Sequence, residues 1–254
     1  MNFMKNLIFI FWLSISLSSC FAIDKIESES KPIDHSIWTN LLNKHIDEKG
    51  LVNYRGFITD SLLLNEYLNL VSDNHPNDKN WETNEQLAYW INAYNAYTVR
   101  LIIRNYPSKS IKDIAGAIPF INSSWDIKFI KIENQVYDLN NIEHGIIREH
   151  FEEPKIHFAL VCAAVACPSL RNEAYLPEKL QTQLTEQAKK FINNPEKNKI
   201  SANKLGLSKI FMWYKGDFTH QTSLIEFLNL YSEIKIEEKA SLDYLDYNWT
   251  LNEQ

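Results

Sequence analysis

Two of the three cysteines of this chain stand close together in the segment HFALVCAAVACPSL, residues 157–170. Such a pair, here Cys162 and Cys167, can form a disulfide, bind a metal ion, or supply a nucleophile and its neighbour. A disulfide needs the Cα atoms within about 7 Å, whereas five extended residues span about 16 Å, so it requires a tight turn. The alanines between the cysteines permit that turn, and Pro168 disfavours a helical conformation at Cys167.

A reactive thiol would need a base and an orienting group. The candidate bases are His144 and His157, and the orienting group could be Glu143, Asp138 or a buried asparagine. A metal site would combine the cysteines with one or two of these histidines, although the spacing matches no standard zinc pattern. Structural interpretations compete with both hypotheses. Glu143 stands three residues after Asn140, as a capping-box acid does, and a histidine at the head of a buried strand is typical of a core.

Two amides lie three residues apart in the most apolar part of the chain. Asn92 and Asn95 belong to the segment 83–107, which has apolar side chains on every face of a helix. Buried amides must find hydrogen-bond partners, so a core network is the simplest interpretation. In the catalytic hypothesis, Asn92 would instead orient a catalytic group and Asn95 would contact a substrate.

Four residues after the cysteine pair have both a structural and a functional interpretation. Arg171 could bind an acidic group of a substrate, although a surface salt bridge is the common role of such a residue. Trp213, Tyr214 and Phe218 are expected in the core or in the wall of a pocket.

The segment 83–107 predicts the central helix of the fold. Thr83 and Gln86 have the spacing of a capping box, and Pro107 would stop the helix. A helix that is apolar all round is buried, so the other elements must surround it.

Hydrophobic periodicity predicts the elements around this helix. Helices are expected over 37–46, 62–71, 140–151, 177–193, 207–218 and 223–231, a hairpin over 125–139, and a strand buried on both faces over 155–162. Because long helices outnumber short strands, we predict an α+β fold. It would be a single domain in which surrounding helices and a small antiparallel or mixed sheet enclose the central helix.

The N-terminus has the features of an export signal. An apolar run over 7–17 is about as long as a signal-peptide core and too short to span a bilayer. The sequence LSSC that ends at Cys20 resembles a bacterial lipobox, which implies that residues 1–19 are removed and that Cys20 carries a lipid. Cleavage after Ala22 is the alternative.

Composition narrows the classes of partner. The chain is 45% hydrophobic and 23% charged, which indicates a globular protein, and residues 20–35 and 36–254 are predicted as a tether and a single domain. The formal net charge is -6, so contact with phosphates would gain no counterion release, and nucleic acid is excluded as the main partner. Membrane association would depend on the lipid at Cys20. We therefore expect a protein of the cell envelope or periplasm, where cysteine pairs are usually oxidised.

Several separated blocks, in order, resemble the domain of unknown function 547 family. The blocks are WINAYNA at 90–96, SIKDI at 110–114, WD at 125–126, LNNIEHGIIR at 139–148, KIHFALVCAAVACPSLRNEAY at 155–175 and LSKIFMWYKGDF at 207–218. The resemblance covers about 82–218, and YLDYNW near the C-terminus also fits. The family pattern includes residues that are all present here: Asn92, Asn95, Glu143, His144, His157, Cys162, Cys167 and Pro168.

The resemblance implies an exported protein, since bacterial members often look like lipoproteins. A buried helix followed by a small sheet is also similar to papain-like and transglutaminase-like folds. However, no cysteine stands at the start of the central helix, where those folds place the nucleophile.

Three classes of function follow from these observations. The first is an exported domain that binds a peptide, a glycan or an envelope protein, with structural cysteines. The second is a thiol-dependent hydrolase or transferase that uses Cys162 or Cys167, His157 or His144, and an asparagine or Glu143. The third is a metal-binding protein. No cofactor is expected.

Overall fold

The computed structural model of the protein describes residues 28–115 and 123–254. The helices are α1 (Ser36–His45), α2 (Tyr54–Thr59), α3 (Ser61–Ser72), α4 (Thr83–Arg104), α5 (Arg148–His150), α6 (Leu180–Ile192), α7 (Ile210–Trp213), α8 (Lys215–Phe218) and α9 (Leu224–Asn229). Shorter helical segments are the 3-10 turns Ile111–Ile114, Ser124–Asp126 and Pro154–Phe158 and the π-helical segment Asn141–Ile147. The strands are β1 (Ile130–Ile132), β2 (Gln135–Tyr137), β3 (Lys199–Ile200), β4 (Lys204–Leu207) and β5 (Ser241–Tyr244).

The strands form two small sheets. β1 and β2 pair as an antiparallel hairpin, within the range predicted for one. In the second sheet, β4 pairs antiparallel with β3 and parallel with β5. Helices therefore dominate, and the α+β class that we predict from the sequence is confirmed.

Helix α4 is the centre of the fold, because its residues 87–99 are all buried. Its capping box lies one residue earlier than predicted from Thr83 and Gln86. The Glu82 side chain accepts a backbone hydrogen bond, and Glu85 Oε2 accepts the Glu82 N–H at 2.7 Å. Carboxylates are favoured at this end because the helix dipole is positive there.

The strand predicted over 155–162 is wrong. Pro154–Phe158 is a 3-10 helix, and the residues after it are irregular. An apolar run alone does not distinguish a buried strand from other buried backbone. Here the Asn95 side chain replaces a strand partner, because it donates to the Ala159 carbonyl at 2.9 Å and accepts the Val161 N–H at 3.0 Å.

The helix predicted after the hairpin forms, but Asn141–Ile147 is wound as a π-helix that runs into α5. Asn140 does not cap it through its side chain. Instead, Asp138 Oδ1 accepts the Asn141 N–H at 2.6 Å, and Asn141 Oδ1 accepts the Asp138 N–H at 3.2 Å. Because this reciprocal pair starts the helix, the capping roles predicted for Asn140 and Glu143 are wrong.

Residues 28–35 contact the folded body, although the sequence pattern assigns 20–35 to a tether. His35 is buried, and its Nδ1 lies 2.8 Å from the hydroxyl oxygen of Tyr67 on α3. The part of this segment that the structure describes is therefore packed against the domain.

The predicted signal peptide, residues 1–19, and Cys20 lie outside the described residues. Within the two described ranges, no helix combines the length and apolar character needed to cross a bilayer. The boundaries of the signal peptide, tether and domain stay predictions.

Two apolar clusters fill the interior. The larger surrounds α4, and the smaller is rich in phenylalanine: Phe158, Phe191, Phe211, Phe218 and Phe227. Tyr247 packs against both clusters. A cleft lies where they meet, because Leu160 of the larger cluster and Ile210 of the smaller one both line it.

Candidate functional site

The cleft between the clusters has a volume of about 240 Å³. Residues predicted as site candidates line it: Glu143, His144, His157, Cys162 and Cys167. Aromatic side chains form much of the remaining wall: Tyr94, Trp125, Trp213, Tyr214, Tyr247 and Trp249. The fold thus brings the chemistry-bearing residues of two sequence segments against aromatic residues from elsewhere in the chain.

Glu143 supplies the buried carboxylate of the cleft. The residue is 6% exposed, and the π-helical segment carries it toward two tyrosines. Tyr94 donates its hydroxyl hydrogen bond to Oε2 at 2.9 Å, and Tyr214 donates to Oε1 at 2.6 Å. In both tyrosines, burial and then the Glu143 charge raise the hydroxyl pKa above its usual range, so the hydroxyls remain donors.

His157 is held by a neighbouring charge pair. Its Nε2 lies 2.7 Å from Oδ2 of Asp217, and Arg148 donates to the same carboxylate at 2.6 and 2.8 Å. Burial lowers the pKa of His157, although the hydrogen bond to Asp217 opposes this shift. The Arg148 and His157 hydrogen bonds hold the pKa of Asp217 well below its usual range. At neutral pH, a neutral His157 therefore donates to an ionised Asp217.

The same group fixes a wall of the cleft. The His157 ring stacks on Tyr214 with 3.8 Å between ring centroids, which orients the hydroxyl that reaches Glu143. His144 is exposed, and Arg148 donates to its Nδ1 at 2.9 Å. His157 therefore contacts Asp217, and His144 contacts Arg148. Among the described residues, neither histidine forms a hydrogen bond to a cysteine.

Cys162 and Cys167 form a disulfide with 6.1 Å between their Cα atoms. The tight turn that the sequence requires for it is made by Ala163, which has a positive φ of 58°. The C-terminal segment holds this turn from outside, because Ala164 pairs with Leu251 in an antiparallel bridge. The disulfide, one of the states that the sequence allows for this pair, is thus present.

The surroundings of the disulfide differ from those of an activated thiol. The Cys162 sulfur lies 3.3 Å from the Tyr247 hydroxyl oxygen. In the part of the chain that the structure describes, no histidine forms a hydrogen bond to either sulfur. Burial, and then the Glu143 charge, raise the pKa of Tyr247 above its usual range, so Tyr247 is a poor base at neutral pH.

Asn92 and Asn95 do not line the cleft. The Asn92 side chain is fully buried and bonds to both backbone groups of Tyr175, donating to the carbonyl at 2.8 Å and accepting from the N–H at 2.9 Å. Asn95 likewise forms hydrogen bonds with buried backbone groups, which follow the 3-10 helix Pro154–Phe158. The structure thus places both amides in a core hydrogen-bond network, outside the lining of the cleft.

Arg171 also lies outside the cleft. Its guanidinium forms ion pairs with Glu173 and Glu186, each at 2.6 Å. Its charge is therefore already matched by two carboxylates, and it plays no part in the cleft.

The family model described as "Protein of unknown function, DUF547" matches residues 79–192. Residues 79–192, the DUF547 segment, are therefore similar to this family. The DUF547 segment contains α4, Glu143, His157 and the disulfide. No curated protein and no solved structure matches the chain.

The DUF547 segment supplies only part of the cleft. Trp213, Tyr214, Tyr247 and Trp249 line it from positions after residue 192. The carboxylate and the disulfide thus come from the matched segment, and a large share of the aromatic wall comes from the chain that follows it.

Sequence reasoning did not select several residues of this site: Tyr94, Trp125, Asp217, Tyr247 and Trp249. The alternation of Tyr247 and Trp249 is a usable signal, because residues two apart in extended chain share one face. Asp217 gives no local signal, since its partners Arg148 and His157 are distant in sequence.

The described residues offer no ready metal centre. Across 28–115 and 123–254, no group of three or more histidine, cysteine, aspartate or glutamate side chains is arranged to hold a metal ion. Both cysteine sulfurs are joined in the disulfide, so neither is a thiolate ligand in this state.

Proposed function

We propose that this protein is an exported binding domain, anchored in the cell envelope through a lipid on Cys20, whose cleft takes a peptide or glycan ligand. The observation that carries the binding proposal is the composition of the cleft, in which aromatic rings surround the buried carboxylate of Glu143. The signal-like N-terminus supports export, and the LSSC sequence supports the anchor.

The aromatic wall suits a ligand with flat or apolar faces. Tyr247 lies 4.8 Å from Trp213 and 4.6 Å from Trp249 between ring centroids, so the three rings form one connected surface. Trp213 is 44% exposed, although burial of so large a side chain would be favourable. Exposed aromatic surface of this kind marks binding sites, where sugar rings or peptide side chains stack.

Backbone hydrogen bonds and the disulfide fix the position of the C-terminal part of the aromatic wall without a ligand. The Val165 N–H donates to the Thr250 carbonyl at 2.7 Å, and the Ala166 N–H donates to the Asn248 carbonyl at 3.0 Å. The disulfide closes the turn that carries these groups. A preorganised wall loses little freedom on binding, which favours affinity.

A thiol-dependent hydrolase or transferase is the second candidate function. The observation in its favour is that both cysteines line the same cleft as His157 and His144. It requires reduction of the disulfide and a base within hydrogen-bond reach of the released thiol. The Cys162 sulfur instead contacts the hydroxyl of Tyr247, which is a poor base. The geometry therefore favours a binding function over a thiol-dependent reaction.

The proposal is tested by tryptophan fluorescence of the mature protein, titrated with a trisaccharide of N-acetylglucosamine and, separately, with short synthetic peptides. We expect a saturable change for one class of ligand. Trp213→Ala should weaken that binding about tenfold, or about 1.4 kcal/mol, because it removes a stacking face.

Leu230→Ala is the matched control, since Leu230 is also an exposed large apolar residue but does not line the cleft. It should bind like the wild type. Binding that is unaffected by Trp213→Ala, or no saturable response to either class, would contradict the proposed function.

A further inference from the structure

We infer that the ligand of this cleft carries an ammonium group, which Glu143 and the aromatic rings recognise together. This inference rests on the binding function proposed above. Its first support is the charge state of the site. Among the described residues, no lysine, arginine or histidine forms an ion pair with Glu143. A buried carboxylate without a counter-charge is costly unless a ligand supplies one.

The nearby positive charge is already matched. Arg148 donates two hydrogen bonds to Asp217, which makes that pair neutral overall. His157 and His144 face the same pair through Asp217 and Arg148, and burial lowers the pKa of His157. The hydroxyls of the two tyrosines that contact Glu143 are uncharged. The net charge left in the cleft is therefore negative.

The aromatic rings provide the second support. Trp249 lies 5.8 Å from Trp213 between ring centroids and adjoins Tyr247, so π faces are concentrated on one wall. Such faces attract cations, and alkylated ammonium groups in particular. Trp249 already shows this behaviour, because the Lys112 ammonium lies 5.0 Å from its ring centroid. Lys112 does not line the cleft.

A single chemical class satisfies both features. An alkylated ammonium has apolar carbon groups that pack against the rings and a positive charge that offsets Glu143. A neutral sugar would leave the carboxylate without a counter-charge, and an anionic ligand would be repelled by it. The cleft of about 240 Å³ leaves room for a trimethylammonium group and the first atoms of the chain that bears it.

Two probes of the same shape separate charge from size. Choline carries a trimethylammonium group, and 3,3-dimethylbutan-1-ol replaces its nitrogen with carbon and is neutral. Calorimetric titration of the mature protein should show choline binding at least about tenfold tighter than the neutral alcohol, which is about 1.4 kcal/mol. Glu143→Gln should remove this preference. The amide has almost the same shape: its oxygen can accept from one of Tyr94 and Tyr214, and its NH2 group can donate to the hydroxyl oxygen of the other.

Glu149→Gln is the matched control, because Glu149 is exposed and lies outside the cleft, yet the variant loses the same charge. It should retain the preference for choline. Should Glu143→Gln fail to fold, Trp213→Ala, which changes an exposed ring, should still lower the affinity for choline.

The outcomes distinguish this inference from the proposed function. Equal binding of choline and its neutral analogue would overturn the ammonium inference and leave an apolar binding site. Preference for choline that persists in Glu143→Gln would overturn the role of Glu143. No response to choline would also overturn the inference, whereas the saccharide and peptide titrations above would still decide whether the cleft binds a ligand.

Discussion

The amide of Asn92 forms hydrogen bonds with the backbone of Tyr175, a residue that lies outside the helices and strands. It is fully buried and bonds to both the N–H and the carbonyl of Tyr175. Asn95, three residues further along α4, does the same for the Ala159 carbonyl and the Val161 N–H. A central helix can therefore anchor two irregular segments through two side chains, without strands.

Asn92→Ala should lower the free energy of unfolding by about 1–3 kcal/mol, because two buried backbone groups of Tyr175 lose their partners. Urea unfolding of the mature protein measures the change. Asn69→Ala is the control, since Asn69 is an exposed asparagine on α3, and it should change stability little. An Asn92→Ala variant that unfolds at the wild-type urea concentration would show that these hydrogen bonds do not contribute.

Glu143 shows where a local pattern misleads. Its spacing from Asn140 fits a capping box, yet Asp138 and Asn141 cap the helix. The spacing therefore predicted a helix start correctly but assigned the wrong residues to it. The carboxylate remained available for the cleft because the cap did not use it.

At the scale of elements, the segment 28–35 illustrates packing that composition hides. Its sequence is polar, which is typical of a tether, but His35 is buried against Tyr67. Burial lowers the pKa of His35 from 6.5 to about 4, although the nearby Asp34 charge opposes this shift. The folded state therefore holds this imidazole neutral.

This contact makes stability depend on pH. Between about pH 6.5 and 4, the unfolded chain binds the proton at His35 and the folded chain does not, so acidification favours unfolding. Above pH 6.5, His35 is neutral in both states and does not reduce the free energy of unfolding. As the pH falls toward 4, protonation of His35 in the unfolded chain lowers this free energy progressively, by about 3 kcal/mol.

The measurement is urea unfolding of the wild type and of His35→Gln across this range. His75 and His157 have lowered pKa values for the same reason, so part of the loss remains in the variant. The difference between the two proteins isolates His35. His220→Gln, at an exposed position, should follow the wild type. Parallel pH profiles for His35→Gln and the wild type would contradict the burial of this neutral imidazole.

At the scale of the whole molecule, the sequence predicts elements better than it predicts the site. The α+β class, the central helix and the hairpin all follow from periodicity and end signals. The apolar run after Pro154 was predicted as a strand, because periodicity does not show that a distant amide will satisfy its backbone.

The residues of the cleft could also be predicted only in part, because local patterns do not show which distant segments meet. Glu143, His157 and the two cysteines belong to conspicuous segments, and they do meet in space. Tyr247 joins them only because the C-terminal segment returns across the fold. Local spacing cannot reveal a contact between positions so far apart in the chain. Trp213 and Tyr214 line the cleft, as the sequence allows, but the contribution of Tyr247 and Trp249 required the structure.

The central claim is that the cleft binds its ligand against a disulfide-braced wall and does not use a thiol nucleophile. The most direct test is the thiol state of the mature protein, isolated without reductant, denatured, alkylated and read by intact mass. We expect Cys162 and Cys167 to resist alkylation, with a mass lower than the fully reduced chain by two hydrogen atoms. Rapid alkylation of either cysteine in the folded protein at neutral pH, before any reduction, would contradict this account and indicate an activated thiol.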